Sequence, residues 1–168
     1  MHVMKRIQNV IDSLIYLFVG PFTVVGTVPL LLMGFDATMG LPHFTSDITI
    51  AVGYILMNLA AIVALWCTWL MHRGAGTPIP SMPAQQLVRT GAYAVVRQPM
   101  MLTLLVVGLG ELLVTGSLLM LLWIPLAMRA GVMFIIVYEE PLLLTRYGEP
   151  YQRYCDEVPR WLPQWKQI

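Results

Sequence analysis

The chain has 168 residues, of which 58% are hydrophobic and 11% are charged, and its formal net charge is +1. An average soluble domain is roughly 25% charged, so the composition argues against a water-soluble globular domain. The high hydrophobicity excludes a disordered chain, and the near-neutral charge gives no basic field that would attract nucleic acid. The composition therefore predicts an integral membrane protein.

Four apolar segments are long enough, or nearly so, to cross a bilayer, which takes about 20 residues in a helix. They run approximately over residues 10–33, 48–71, 100–115 and 117–138. Gly116 and Ser117 form a tight turn between the last two, which predicts an antiparallel helical hairpin. We therefore expect an all-α membrane protein of about four transmembrane helices, folded as a single membrane domain over residues 1–168.

The basic residues predict the orientation of these helices. All Lys and Arg residues except Arg129 fall on one side of the predicted topology, and the side rich in such residues is the cytoplasmic one. Both termini are therefore expected in the cytoplasm, and the compact chain favours a bacterial inner membrane. The polar C-terminal tail is predicted to form a helix to about Arg146, a break at Gly148 and a short helix through Tyr154.

The hairpin turn also predicts which residues of its two helices lie at the same depth. For a turn near Gly116, matching residues have numbers that add to about 232, and each residue rises by about 1.5 Å. Arg97 then lies within about one helical turn of Glu139 and Glu140. Adjacent carboxylates favour a cationic partner, which Arg97 or a bound cationic ligand supplies. The alternative is that these charges only mark helix ends at the membrane interface.

Glu111 and Arg129 lie inside predicted membrane helices, where charged residues are functional candidates by default. Arg129 and Glu140 lie nearly on one helix face, so one hypothesis is that Arg129 points toward the charged groups at the end of the hairpin, Arg97 and the two glutamates. The alternative is a structural bond from Arg129 to the backbone or to another helix. Glu111 is predicted near the opposite interface, with a structural role.

The second half of the chain carries two sets of motif residues. The first set is Leu87-Val88-x-x-Gly91-x-Tyr93-x-x-x-Arg97-x-Pro99-Met100. The second set is Glu139-Glu140-Pro141-x-Leu143, Tyr147-Gly148-x-x-Tyr151-x-x-Tyr154 and Val158-Pro159-Arg160-Trp161-x-Pro163, and Gly76-Thr77-Pro78 lies upstream. In order and spacing these motifs resemble the signatures of the membrane methyltransferases, a group that includes isoprenylcysteine carboxyl methyltransferases and phospholipid methyltransferases. The resemblance covers about residues 74–163, a methyltransferase-like core that follows two N-terminal helices within residues 1–73.

The resemblance implies an S-adenosylmethionine site on the cytoplasmic side, between the loop before the hairpin and the C-terminal tail, with S-adenosylhomocysteine as product. The residues implied to line the cofactor are Gln86, Leu87, Val88, Gly91 and Tyr93. Arg97 and Pro99 would shape the pocket wall. Glu139 and Glu140 would hold the amino or ribose groups of the cofactor, or order Arg97. The candidate catalytic residues are therefore Arg97 and Glu140, together with Arg129.

The chain departs from the family pattern at three positions. The family usually has Asn or His where Gln98 stands, and Tyr followed two residues later by Gly where Met101 and Thr103 stand. Losing the tyrosine removes a hydroxyl group and an aromatic face. Two alternatives stay open: the acceptor differs from that of better-known members, or the chain binds the cofactor and catalyses poorly.

The predicted reaction is methyl transfer to a lipidic or small hydrophobic acceptor: a phospholipid amine, an isoprenylcysteine-like carboxylate or a thiol. A sulfonium methyl group is already activated, so catalysis needs mainly positioning and exclusion of water. No cluster of Cys and His suggests a metal. The alternative function is a non-catalytic membrane scaffold or a transporter component, although transporters usually show internal repeats that this sequence lacks.

Overall fold

The computed structural model describes residues 18–73 and 86–163, and within these two ranges all regular structure is helical. The N-terminal helices are α1 (Phe18–Thr27, wound as a π-helix), α2 (Val28–Met39) and α3 (Asp47–Arg73). After the undescribed residues 74–85 come α4 (Ala92–Val95), α5 (Pro99–Thr115), α6 (Leu118–Phe134), the π-helical α7 (Ile135–Glu139), α8 (Glu140–Tyr147) and α9 (Glu149–Glu157). The predicted all-α class is confirmed, while the Gly76-Thr77-Pro78 match lies outside the described residues.

Three stretches in the described ranges are long and apolar enough to cross a membrane: Phe22–Met39, Asp47–Arg73 and Leu118–Tyr147. A fourth apolar helix, α5, has 17 residues and is therefore about 25 Å long, somewhat less than the roughly 30 Å hydrocarbon core. The prediction of an integral membrane protein is thus supported. The described ranges contain three helices long enough to span a membrane and one shorter apolar helix, so the predicted count of about four spanning helices is not confirmed.

The first apolar segment extends further along the chain than the sequence predicts. It was expected to stop near residue 33, but α2 continues to Met39, where Gly40 has φ 61° and ψ 32° and its N–H bonds to the carbonyl of Asp36. Gly40 ends the helix in the left-handed conformation that glycine adopts readily. Asp36 lies inside this helix, and its side chain is fully buried. The start of this segment, residues 10–17, lies outside the described residues.

The tight turn between α5 and α6 is present. Gly116 has φ 61°, and a side chain there would collide with the backbone of Phe44, whose N lies 2.5 Å from the position of an added Cβ. The Ser117 hydroxyl then caps α6 by accepting from the N–H of Met120 at 3.1 Å. Further along the hairpin, Met101 contacts Gly131 and Gly108 contacts Ile124. In both pairs the residue numbers add to 232, the value predicted for a turn near Gly116.

The hairpin is held against the N-terminal half by a close crossing of α3 and α5. A Cβ added to Gly53 would lie 2.6 Å from the carbonyl oxygen of Gly110, and one added to Gly110 would lie 2.8 Å from that of Gly53. Small residues permit such an approach between membrane helices. At the opposite end, α6 continues through the π turn α7 into α8, which ends at Tyr147, and α9 follows after Gly148. These positions agree with the helix, break and helix predicted for the tail.

Candidate functional site

A cavity of about 660 Å³ runs along the hairpin. We call its polar end the mouth, formed by Arg97, Gln98 and Glu139, and its other end the deep end, formed by Glu111, Met120 and Trp123. Since Gln98 precedes and Glu111 lies within α5, the helical rise puts the two ends about 20 Å apart. Most of the lining between them is apolar and comes from α1, α3, α5 and α6. The cavity is therefore a long apolar space that is polar at both ends.

At the mouth, Glu139 lines the cavity and is joined to the start of α5. Gln98 Nε2 donates a hydrogen bond to Glu139 Oε1 at 3.4 Å. Glu139 is the last residue of the π turn α7. A π turn holds more residues than an α turn and is frequent at functional sites, and it changes the face of the helix on which the following residues lie. Adjacent residues of a helix point about 100° apart, so the two glutamates have different surroundings.

Glu140 faces the C-terminal tail and is not one of the cavity-lining residues. Arg160 binds it through two hydrogen bonds, from Nε to Oε1 at 2.9 Å and from Nη2 to Oε2 at 2.7 Å. Arg97 Nη1 lies 3.4 Å from Glu140 Oε1, and the side chains of Arg97 and Glu140 are only 14% and 18% exposed. The two parallel charge-assisted bonds from Arg160 to Glu140 are partly buried and therefore make a strong and directional contact. The hydrogen bond to Glu140 also raises the pKa of Arg160.

Two further bonds fold the tail onto the segment before α5. The N–H of Arg97 donates to the carbonyl of Pro159 at 2.9 Å, and the Tyr154 hydroxyl donates to the carbonyl of Tyr93 at 2.7 Å. Both join residues that are far apart in sequence. Together with the Arg160–Glu140 pair, they make the tail one wall of the mouth.

Three buried tyrosines supply the aromatic part of this region: Tyr93, Tyr151 and Tyr154. A tyrosine hydroxyl is ordinarily protonated at neutral pH, and burial raises the pKa of each of the three still further. All three line the cavity. The Tyr93 hydroxyl and Arg97 Nε are buried and have no hydrogen-bond partner among the described residues. The mouth thus has unused donors beside a carboxylate.

The residues predicted from the sequence divide into two groups. Those that line the cavity are Leu87, Val88, Tyr93, Arg97 and Glu139. Five others are not among the lining residues that the structure describes: Gln86, Gly91, Pro99, Glu140 and Arg129. Gln86 is exposed, Pro99 is buried at the start of α5, and Arg129 is exposed on the outer face of α6.

Gly91 shapes the backbone of the segment before α5. Its φ is 61°, a conformation that side chains rarely adopt, and an added Cβ would lie 2.7 Å from Leu70 Cδ1 and 3.0 Å from a ring carbon of Trp66. Gly91 therefore lets this segment turn while packed against α3. Its structural contribution is to place the short helix α4, which carries Tyr93.

Three site features were not assigned from the sequence. Gln98 was noted only as a departure from the family pattern, and Arg160 only as part of a motif. Glu111 was expected to be structural, but it lines the deep end of the cavity. The general rule on charges inside membrane helices was the signal that singled out Glu111.

Comparison with known proteins identifies one family. The family model for phospholipid methyltransferases matches residues 48–150, which is more than half of the chain. No curated protein and no solved structure gives a match. The matched range includes α3, the hairpin, Glu139 and Glu140, and it ends before Tyr151 and Arg160.

Proposed function

Because the chain belongs to the phospholipid methyltransferase family, we propose that it transfers the methyl group of S-adenosylmethionine to a lipidic acceptor. The mouth holds the cofactor, and the apolar remainder of the cavity holds the chain of the acceptor. The observation that carries this proposal is the continuity of the two parts in one cavity. A phospholipid amine is the first acceptor to test, followed by an isoprenylcysteine-like carboxylate and a small thiol.

The charges at the mouth fit the cofactor. S-adenosylmethionine has a cationic sulfonium, an ammonium and a carboxylate, and the mouth offers the cation Arg97 and the carboxylate Glu139 within one cavity lining. The unpartnered Tyr93 hydroxyl and Arg97 Nε are donors available to the cofactor's carboxylate or ribose. The faces of the buried tyrosines suit both an adenine ring and a sulfonium cation.

When bound, S-adenosylmethionine supplies an activated methyl group on its sulfonium. The protein then has to orient the reactants and exclude water. We assign to Arg97 and Glu139 the binding of the charged groups of the cofactor. Glu140 acts as a positioning residue, since its pairing with Arg160 holds the tail over the mouth. We assign no step to Arg129, because it lies outside the described cavity lining.

An amine acceptor adds one requirement, because a protonated ammonium has no lone pair to attack the methyl group. The proton must leave before transfer, and Glu139 is the carboxylate of the described mouth that lines the cavity. We therefore propose that the Glu139 carboxylate takes this proton from the ammonium. Gln98 orients the carboxylate through their 3.4 Å hydrogen bond. A carboxylate or thiolate acceptor would not need this step.

The departures from the family pattern are compatible with catalysis by this site. Gln98 still offers an amide donor to Glu139. Met101 lines the cavity and contacts Gly131, so this position adds an apolar wall in place of an aromatic hydroxyl. These contacts favour a difference in acceptor over poor catalysis by a chain that still binds the cofactor.

The activity is tested with the purified protein in nanodiscs that contain phosphatidylethanolamine, using S-adenosylmethionine labelled in its methyl group. We expect label in the lipid, and its loss in Glu139→Ala and in Glu140→Ala. The matched control is Arg153→Ala, because the Arg153–Glu149 pair is exposed and outside the mouth. If the folded protein binds no S-adenosylhomocysteine, the scaffold or transporter alternative replaces this proposal. Cofactor binding without lipid labelling would turn the search to the other acceptors.

A further inference from the structure

The deep end of the cavity contains a carboxylate that the proposed reaction does not use. Glu111 lies on α5, five residues before the Gly116 turn, and its side chain lines the cavity. Its Oε2 atom is buried and has no hydrogen-bond partner among the described residues. A buried polar atom without a partner is costly, so this oxygen is placed to accept a hydrogen bond from a ligand.

Three polar groups near this end have hydrogen-bond partners in the described part of the chain. Trp123 Nε1 donates to the carbonyl of Val24 at 3.1 Å. The Thr115 hydroxyl donates to the backbone carbonyl of Glu111 at 2.8 Å, and the Ser117 hydroxyl accepts from the N–H of Met120 at 3.1 Å. Of the side chains that surround this part of the cavity, Met120 and Ile124 are apolar. No donor in the described part of this end is directed at the free oxygen.

We propose that Glu111 forms a second polar subsite, which binds a hydrogen-bond donor at the far end of a long-chain amphiphile. The donor is a hydroxyl, amide or amine group, the chain lies along the apolar lining, and the other polar group lies at the mouth. This inference rests on the proposed function for its meaning, because among lipidic acceptors it favours a molecule with two polar ends about 20 Å apart. A lipid with plain hydrocarbon ends would leave the Glu111 oxygen unpaired.

The experiment compares two probes that differ only at the far end of the chain. Radiolabelled palmitic acid and ω-hydroxypalmitic acid are bound to the protein in nanodiscs without cofactor, and specific binding is defined by competition with unlabelled probe. We expect the hydroxylated probe to bind about tenfold more tightly, as one hydrogen bond to a carboxyl oxygen allows. Glu111→Leu should abolish the difference, and Glu111→Gln should keep part of it, because an amide oxygen still accepts.

The control variant is Asn58→Leu, which also replaces a polar residue inside a membrane helix. Asn58 donates to the carbonyl of Tyr54 at 2.8 Å within α3 and does not line the cavity, so the preference should persist. Equal affinities in the unmodified protein, the absence of saturable binding of either probe, or a preference that survives in Glu111→Leu would each overturn the subsite.

Binding of S-adenosylhomocysteine to the same preparation separates this inference from the proposed function. A preference for the hydroxylated probe without binding of S-adenosylhomocysteine keeps the subsite and removes the methyltransferase assignment. Binding of S-adenosylhomocysteine without that preference keeps the methyltransferase assignment and removes the subsite.

Discussion

The carboxyl groups near the two ends of the cavity differ in whether they have hydrogen-bond partners. Beside the mouth, Glu140 is bound by Arg160 and also contacts the mouth residue Arg97, which is 43 residues away in sequence. At the deep end, Glu111 keeps an oxygen without a partner among the described residues. Pairs between distant residues build the mouth, whereas helix packing shapes the deep end. The comparison indicates that the mouth is organised before a ligand binds, whereas the polar group of the deep end gains its hydrogen-bond partner only from a ligand.

The largest effect is expected at the crossing of α3 and α5, next to the deep end. In Gly53→Ala, the new methyl group would lie 2.6 Å from the Gly110 carbonyl oxygen, so the two helices must separate. We expect a loss of about 3 kcal/mol of stability, typical of severe overpacking, seen as a lower unfolding temperature in detergent. The control is Gly34→Ala, whose added Cβ has nothing within 4 Å. An equal unfolding temperature for both variants would contradict the close crossing.

A smaller effect is expected when the tail is released from the mouth. Arg160→Ala removes both hydrogen bonds to Glu140 and leaves that carboxylate with the longer contact to Arg97. We expect the affinity for S-adenosylhomocysteine to fall about tenfold, the scale of one charged hydrogen bond. Arg153→Ala, which breaks an exposed pair, should bind like the unmodified protein. Unchanged affinity in Arg160→Ala would mean that the tail does not form a wall of the site.

The smallest effect is expected at the mouth when the deep end is changed. Glu111→Leu alters a residue about 20 Å from Gln98 along α5, and distant sites without shared partners behave almost independently. The affinity for S-adenosylhomocysteine, measured by calorimetry, should therefore stay within about twofold. A large loss would show that the two ends are coupled and would remove the distinction between them.

The sequence predicts the mouth better than the deep end. The turn at Gly116 and the helical rise are enough to bring Arg97 to the level of Glu139 and Glu140, because both are local properties of the hairpin. The position of the turn and the helical rise do not predict which glutamate faces the cavity, because that depends on the π turn at Ile135–Glu139. The pattern of apolar residues gives no sign of this turn.

The partners of these residues depend on contacts between distant parts of the chain. The pairing of Arg160 with Glu140 follows from the way in which α9 and the residues after it fold back, and spacing in the sequence does not encode that path. Glu111 presents the same difficulty, because its position on the cavity side depends on how α1 and α6 pack around α5. The helix class and the hairpin are local, and for that reason they were predictable.

The central claim is that the mouth binds S-adenosylmethionine through Arg97 and Glu139. Its most direct test is a calorimetric titration of S-adenosylhomocysteine into the detergent-purified protein, with Glu139→Ala and the exposed control Arg153→Ala in parallel. The account predicts saturable binding to the unmodified protein and to Arg153→Ala, and an affinity at least about tenfold lower in Glu139→Ala. Equal binding by Glu139→Ala, or no binding by the folded unmodified protein, would contradict it.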